Sequence, residues 1–257
     1  MPGDLNEDTS EYEMSVLGIV LARKGSQGLP GKHLLPLVGR PVIEYTMLHA
    51  LAAKSVDRVV VSTDDDGVKR LAQTLRLETI DRPASLCSSD ASVQSAILHA
   101  IDTVEARSAF RVTAVAVLYG NVPVRPLSIT DQAVNHLFTT RADSVRSFTP
   151  VGKWHPAWMC RLEDDRPVPL VSGSVHRRQD LEKLFLHDGG ALVASRRILE
   201  LARQHPEDPH RFFGDDRRGI VVEPGACIEI DEPRDLYLAE AILRSRGGDH
   251  VQVRMAG

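Results

Sequence analysis

The fold is decided in Leu17–Pro36, which reads LGIVLARKGSQGLPGKHLLP. Leu17, Ile19, Val20, Leu21 and Ala22, broken only by Gly18, make an apolar run with the character of a buried strand. The run empties into a loop that carries Arg23, Lys24, Gly25, Ser26, Gly28, Gly31 and Lys32. Glycines there let backbone N–H groups approach a ligand and admit positive φ, the geometry of an anion-binding nest. Arg23, Lys24 and Lys32 add point charge for phosphate oxygens. A solvated surface turn is the competing reading. It leaves unexplained why the glycines cluster directly behind a first strand.

Neither familiar phosphate pattern fits the loop. A P-loop needs a glycine five residues before Gly31 and a Ser or Thr after Lys32, where the chain has Ser26 and His33. The dinucleotide fingerprint fails at Ser26 too, and no helix opens directly after Gly31 to face a pyrophosphate. The first helix is placed from Pro41, a favoured first helical residue. A long, basic, glycine-punctuated loop between the first strand and the first helix points towards nucleotidyl transfer.

Outward from the loop, strands and helices alternate. PVIEYTMLHALAAK (41–54) has helical spacing, with His49 as a half-buried helix residue, and RVVVS (58–62) reads as a buried parallel strand. Thr63-Asp64 is expected to cap a helix to about Arg76, and the acids at 64–66 read as a capping group rather than a metal cluster. A strand over Leu77–Ile80 is followed by a loop in which Ser89 or Asp90 caps a helix ending near Ala106. AVAVL (114–118) is the central-strand candidate, and it delivers Tyr119 through Pro126 to its C-terminal end, where open α/β sheets hold ligands. A helix over 127–140 and a strand over Asp143–Phe148 follow. ALVAS (191–195) is a strand, Arg196–Arg203 a helix, and Gly219–Val222 a short strand. The alternation predicts an α/β fold with a mostly parallel sheet flanked by helices.

Two stretches break that rhythm. Residues 150–184 hold four prolines, both tryptophans and the run His176-Arg177-Arg178-Gln179-Asp180, the composition of an interface or of a lid over substrate. Arg177, Arg178 and Gln179 are candidates for gripping a carboxylate, with exposed rim charge as the alternative. Near the end, Ile228-Glu229-Ile230-Asp231 reads as a strand that turns both acids to one face, about 7 Å apart by strand rise. Such a pair can share a divalent ion or its waters; charges that protect an edge strand are the alternative. Pro233 then sits in the first turn of a last helix.

The 257 residues suit one large α/β domain, and 42% hydrophobic with 26% charged residues is ordinary for a globular protein. No apolar run nears the roughly 18 residues that cross a bilayer, and no basic-then-apolar leader opens the chain. The expectation is a protein without membrane contact. Cys87, Cys160 and Cys227 show no metal-like spacing and suggest a reducing compartment, with the cytoplasm as the default. Residues 1–14 carry five acids and no Lys or Arg, and read as a disordered acidic leader. Setting those acids aside, the chain's net −4 becomes a body near +1, which argues against nucleic-acid binding.

ARKGSQGLPGKHLLPLVGRPVIEYT (22–46) closely resembles the opening motif of the acylneuraminate cytidylyltransferases, which make CMP-sialic acids and related CMP-nonulosonates. The octulosonate-activating relatives share a looser version. The resemblance covers roughly 16–245 and implies a Rossmann-like fold of the nucleotide-diphospho-sugar transferase type with a small dimerisation arm. It divides the chain into the leader, a nucleotide-binding half (15–149), an arm (150–184), a completing segment with the metal-binding strand (185–248) and a tail (249–257). It implies that Leu21, Ala22, Arg23, Lys24, Gly25, Ser26, Gly28, Lys32, Arg82, Asp90 and Ser92 hold CTP. Tyr119, Asn121, Arg125, Arg177, Arg178 and Gln179 would meet the sugar acid. Glu229 and Asp231 would hold Mg²⁺, and Arg23, Lys32 and Asp231 would carry the catalysis. A homodimer joined through the arm is expected.

The chain departs from the family at several points. Ser-Lys-Gly of the loop becomes Ser26-Gln27-Gly28, with Lys24 a possible substitute cation. The usual glutamine is Tyr119, Asn121 stands where one branch has an acidic metal ligand, and Glu229 replaces an aspartate. A nucleotidyltransferase for another sugar acid and a non-catalytic nucleotide-binding homologue are the alternatives. The failed fingerprint disfavours a Rossmann oxidoreductase.

Overall fold

Every residue of the first strand, β1 (Val16–Ala22), is buried in the computed structural model, which describes residues 14–25, 28–88, 90–173 and 175–246. The chain continues through a small hairpin, β2 (Pro36–Leu37) and β3 (Arg40–Pro41), then α1 (Val42–Ala52), β4 (Arg58–Thr63) and α2 (Asp66–Thr74). Next come β5 (Glu78–Asp81), α3 (Val93–Arg107), β6 (Ala114–Tyr119), α4 (Ile129–Thr140) and β7 (Ser144–Pro150). A second hairpin, β8 (Cys160–Glu163) and β9 (Arg166–Pro169), precedes β10 (Phe185–Ser195), α5 (Arg196–Arg203), β11 (Arg217–Val221) and α6 (Pro233–Ser245). The leader (1–13 of it) and the tail expected at 249–257 lie outside the described residues.

Among the described residues, seven strands form one sheet in the order β11-β7-β10-β6-β1-β4-β5. β1 runs parallel to both β4 and β6, β4 to β5, and β7 to β11, while β10 runs antiparallel between β6 and β7. Strand period 2 splits β1 between two cores. Leu17, Ile19 and Leu21 pack with Ile97 and Ile101 of α3 and Ile198 of α5. On the opposite face Val20 and Ala22 meet Ile43 and Met47 of α1 and Val68 of α2, and Val16 meets Ile129 of α4. Each fully buried Leu or Ile stabilises the fold by roughly 1.5–3 kcal/mol. The C-terminal ends of β1, β4, β5 and β6 therefore open along one edge of the sheet. The chain order reverses between β1 and β6, which places a crevice there.

Several boundaries differ from the sequence reading for local reasons. Asp65, rather than Thr63-Asp64, caps α2, accepting from the Gly67 N–H at 2.8 Å. Ser92, rather than Asp90, caps α3 by accepting from the Ser95 N–H at 3.0 Å, and Ser89 lies outside the described residues. Pro41 stays outside α1, because it pairs with Pro36 in the hairpin. A single 3-10 turn, Lys32–Leu34, follows the left-handed Gly31. Residues 228–231 add no strand to the sheet. They are extended, but Ile228 bridges to Val124 in the loop after β6.

The segment between α5 and β11 folds back under the sheet edge through Asp143. This buried carboxylate accepts from the backbone N–H groups of Asp215 and Asp216, both at 3.0 Å, and pairs with Arg197. Gly214, at φ +73°, lies so close to Asp143 that a Cβ would strike it. The contact seats Phe212 and Phe213 in the core. Asp143→Ala is expected to cost about 2–4 kcal/mol, because two charge-assisted bonds to backbone N–H groups and the pair with Arg197 vanish together. Urea denaturation measures it, and a loss below about 0.5 kcal/mol would contradict the anchoring role.

Candidate active site

Three strand ends supply the walls of one crevice. β1 ends at Ala22 and feeds the glycine loop, β5 leads to Arg82, and β6 ends at Tyr119 and leads to Asn121. The cavity between them is lined by Leu21, Ala22, Arg23, Lys32, Arg82, Ser92, Tyr119, Asn121 and Glu229 of the expected residues, together with His33, Leu86, Ala91, Val93 and Ala96. Arg23 crosses one wall, donating from Nη1 to the Ser88 carbonyl at 2.8 Å. Arg82 is fixed by Ser62, through Nη2 to its carbonyl at 2.9 Å and Nε to its hydroxyl at 3.2 Å. Burial lowers the Arg82 pKa, with the Arg23 charge adding to the effect.

The glycine loop and the acidic pair meet. Lys32 Nζ lies 2.6 Å from Asp231 Oδ1. A Cβ on Gly28 would sit 2.7 Å from the Asp231 carbonyl oxygen, so the loop passes there only without a side chain. Ile228 N–H donates to the Val124 carbonyl at 3.0 Å and Ile230 N–H to the Asn121 carbonyl at 2.7 Å, and both isoleucines are buried. Glu229 is thereby turned into the cavity lining, while Asp231 stays exposed at its rim beside Lys32. Asn121 Nδ2 donates to both carboxylates, at 3.1 Å to Glu229 Oε1 and 3.3 Å to Asp231 Oδ1, and to the Ile230 carbonyl at 3.2 Å. With three acceptors facing it, that edge of Asn121 is its NH₂. Burial raises the Glu229 pKa, Asp231 adding to the rise while Asn121 and Lys32 oppose it. Asp235 accepts from the N–H groups of Asp231 and Glu232, so the start of α6 fixes the end of the acidic segment.

Two carboxylates are a hard-oxygen donor set, suited to a divalent cation that keeps waters or phosphate oxygens for its remaining positions. Among the described residues no group of three or more His, Cys, Asp or Glu gathers as a metal cage. Asn121 presents its donors to the pair, so its oxygen does not extend the set.

Other expected residues lie elsewhere. The Lys24 backbone N–H donates to Asp64 Oδ1 at 2.8 Å, and its side chain, like Gly25 and Asp90, is exposed and outside the cavity lining. Ser26 lies outside the described residues. Arg125 is a correction. It is buried, and its Nη2 donates to the carbonyls of Val122 at 2.9 Å and Tyr119 at 3.1 Å, so it braces the loop after β6 from inside and does not reach the crevice. Burial lowers its pKa to about 10. Arg177, Arg178 and Gln179 are exposed on the arm, away from the cavity lining in this chain.

Sequence reasoning passed over His33, which is buried in the cavity wall and held by burial, with Lys32 adding, at a pKa of about 4. It is neutral at ordinary pH. Its signal was a lone imidazole inside the apolar run KHLLPL.

A family model described as Cytidylyltransferase matches residues 17–213. The N-acylneuraminate cytidylyltransferase of Escherichia coli is 25% identical over 244 residues, covering 93% of this chain and 54% of that protein. The pseudaminic acid cytidylyltransferase of Campylobacter jejuni is 24% identical over 234 residues, covering 90% of this chain and 97% of that protein. The chain spans about half the length of the N-acylneuraminate relatives it matches. Among solved structures, CMP:2-keto-3-deoxy-manno-octonic acid synthetase complexed with CTP shares the fold at a TM-score of 0.68 and 19% identity, over 90% of this chain and 99% of that one.

If Arg125 braces rather than binds, Arg125→Ala should destabilise the protein by about 2–4 kcal/mol, as buried carbonyls lose a charged donor. Hydrogen exchange should quicken at the amides of 119–124. A variant with native stability and exchange would return Arg125 to the list of ligand-binding candidates.

Proposed function

The chain belongs to the cytidylyltransferase family, and from that premise we propose that it couples CTP to a nonulosonic, sialic-acid-like sugar acid, giving the CMP-sugar and pyrophosphate. The observation that carries this reading is the contact of Lys32 with Asp231, which brings the phosphate-type loop and the acidic pair to one crevice.

The base and ribose lie along Leu21, Ala22, Arg82 and Ser92. Arg23, Lys32 and the backbone N–H groups of the glycine loop take the triphosphate. The anomeric oxygen of the sugar acid forms a bond to the α-phosphorus as the α–β bridging P–O bond breaks. Pyrophosphate leaves with that electron pair, and the hydroxyl proton passes to solvent. Glu229 and Asp231 are the residues that would hold Mg²⁺, which when bound offsets charge on the phosphate oxygens. The chain's own share is positioning and electrostatics: Lys32 reaches both the phosphates and Asp231, and Asn121 keeps the two carboxylates aligned.

The arm supports a homodimer. Trp154, Leu162, Phe185 and Leu186 are exposed on or beside it, an apolar face suited to a second copy, whose Arg177, Arg178 and Gln179 could then approach a neighbouring site. Three free cysteines and the need for CTP fit a cytoplasmic setting. Among the described residues no helix is long and apolar enough to cross a membrane.

Pyrophosphate release, assayed with four nucleoside triphosphates against a panel of nonulosonic acids, tests the reading. Turnover is expected with CTP alone. Lys32→Ala and Asp231→Asn should each lower kcat by about 100-fold or more. Near-normal rates in both would remove the phosphate and metal roles. Turnover with another nucleotide would sink the cytidylyl assignment, and none with any pair would favour a nucleotide-binding protein without catalysis.

A further inference from the structure

The crevice has a second chamber. It opens beside the first and shares Ser92, Val93 and Tyr119 with it. The two measure about 250 and 290 Å³. Neither alone reaches the ~300–1,000 Å³ usual for a small-molecule site, and joined they do. A bipartite cavity suits two substrates that must react with each other.

Arg146 stands in the second chamber. It comes from β7, next to Ser147 on the opposite face, and its guanidinium is half-buried over aromatic rings, 4.6 Å from the centroid of Phe213 and 6.0 Å from that of Phe148. Among the described residues it has no hydrogen bond or ion pair to a carboxylate. Asp188, whose field reaches it, is bonded instead to Ser147 and to the Gly190 N–H. Arg217, on the same Phe213 ring, is a second cation nearby. A half-buried guanidinium without an acid partner, on an aromatic floor, is a receptor for a planar anion.

Position narrows the anion. Tyr119 lines both chambers, with Glu229 in the first and Arg146 in the second, so one tyrosine side chain stands between the arginine and that acid. In a 2-keto sugar acid the carboxylate and the attacking hydroxyl are carried on the same anomeric carbon. The group that grips the carboxylate must therefore lie close to the reaction centre. Arg125 is buried behind the loop, and the arm arginines line neither chamber in this chain. We propose that Arg146 receives the sugar acid's carboxylate in the second chamber, with Tyr119 standing between that anion and the acidic pair.

This inference rests on the cytidylyltransferase reading, and steady-state kinetics keep the two apart. In Arg146→Gln, KM for the sugar acid should rise about 10–100-fold, the loss of a charge-assisted pair, while KM for CTP stays within about twofold. The wild type should discriminate against the sugar-acid amide, and the variant should lose that discrimination. Arg146→Lys, which keeps the cation, should fall between them, and it replaces Arg146→Gln if that variant fails to fold. An active wild type with unchanged acid KM and unchanged amide discrimination in the variant would overturn the Arg146 assignment alone. A wild type with no pyrophosphate release from any acid would overturn both readings.

Discussion

The crevice depends on two backbone hydrogen bonds made outside the sheet's own ladders, in the loop directly after β6. Ile228 and Ile230 donate to carbonyls of the loop after β6, and their side chains are buried with Val42 and Val124. Alternation then turns Glu229 and Asp231 away from that packing, Glu229 into the crevice and Asp231 to its rim beside Lys32. Without that tie, a segment separated from β6 by about a hundred residues of chain would have to be ordered by the carboxylates alone. These are the groups least able to do it, since burying them unpaired is costly. Apolar packing and main-chain bonds supply the order, and the acids are free to face a ligand.

The same division of labour explains Arg125. A fully buried cation is expensive to desolvate and adds little net stability even when paired. Here it holds the carbonyls of Tyr119 and Val122 and fixes the turn that presents Asn121. Its Nε and Nη1, and Asp188 Oδ2 near it, are buried without partners, polar groups roomy enough in their demands for an interior water. The Cys227 thiol beside them is pushed up to about 12 by burial and Asp188, and so adds no competing charge. The cation's service is geometric: it shapes a loop that a neutral core would leave free to choose among several turns.

Much of this was legible in the sequence where periodicity carried the message. The apolar run of β1, the span Arg196–Arg203 of α5 and the two-sided alternation of 228–231 follow from residue order alone. The expected strand at 228–231 failed in an instructive way: the alternation was real, but its partner is a loop rather than a sheet edge, and pairing partners leave no local trace. The caps failed similarly. Asp64, Asp65 and Asp66 are chemically equivalent in sequence, and only the exit direction of β4 gives Asp65 the helix and Asp64 the Lys24 N–H. Arg125 was misread because a motif fixes spacing, not which way a side chain turns.

Arg146 was illegible for a different reason. Within SVRSF the arginine stands at an alternating position, so its opposition to Ser147 could be read from the order of residues. What makes its face a chamber is the return of residues 205–216, pinned by Asp143, which brings Phe212 and Phe213 beneath it. A cation placed in mid-strand beside an apolar core is costly unless an aromatic floor or an anion compensates it. The fold provides the floor through a segment some seventy residues later in the chain. The two chambers are thus closed by two distant returns of one chain: the acidic segment bonded to the loop after β6, and the aromatic turn bonded to Asp143. Each brings its own chemistry to Tyr119, the side chain common to both. Tyr119 thus stands between Glu229 in one chamber and Arg146 in the other, its hydroxyl kept neutral by burial.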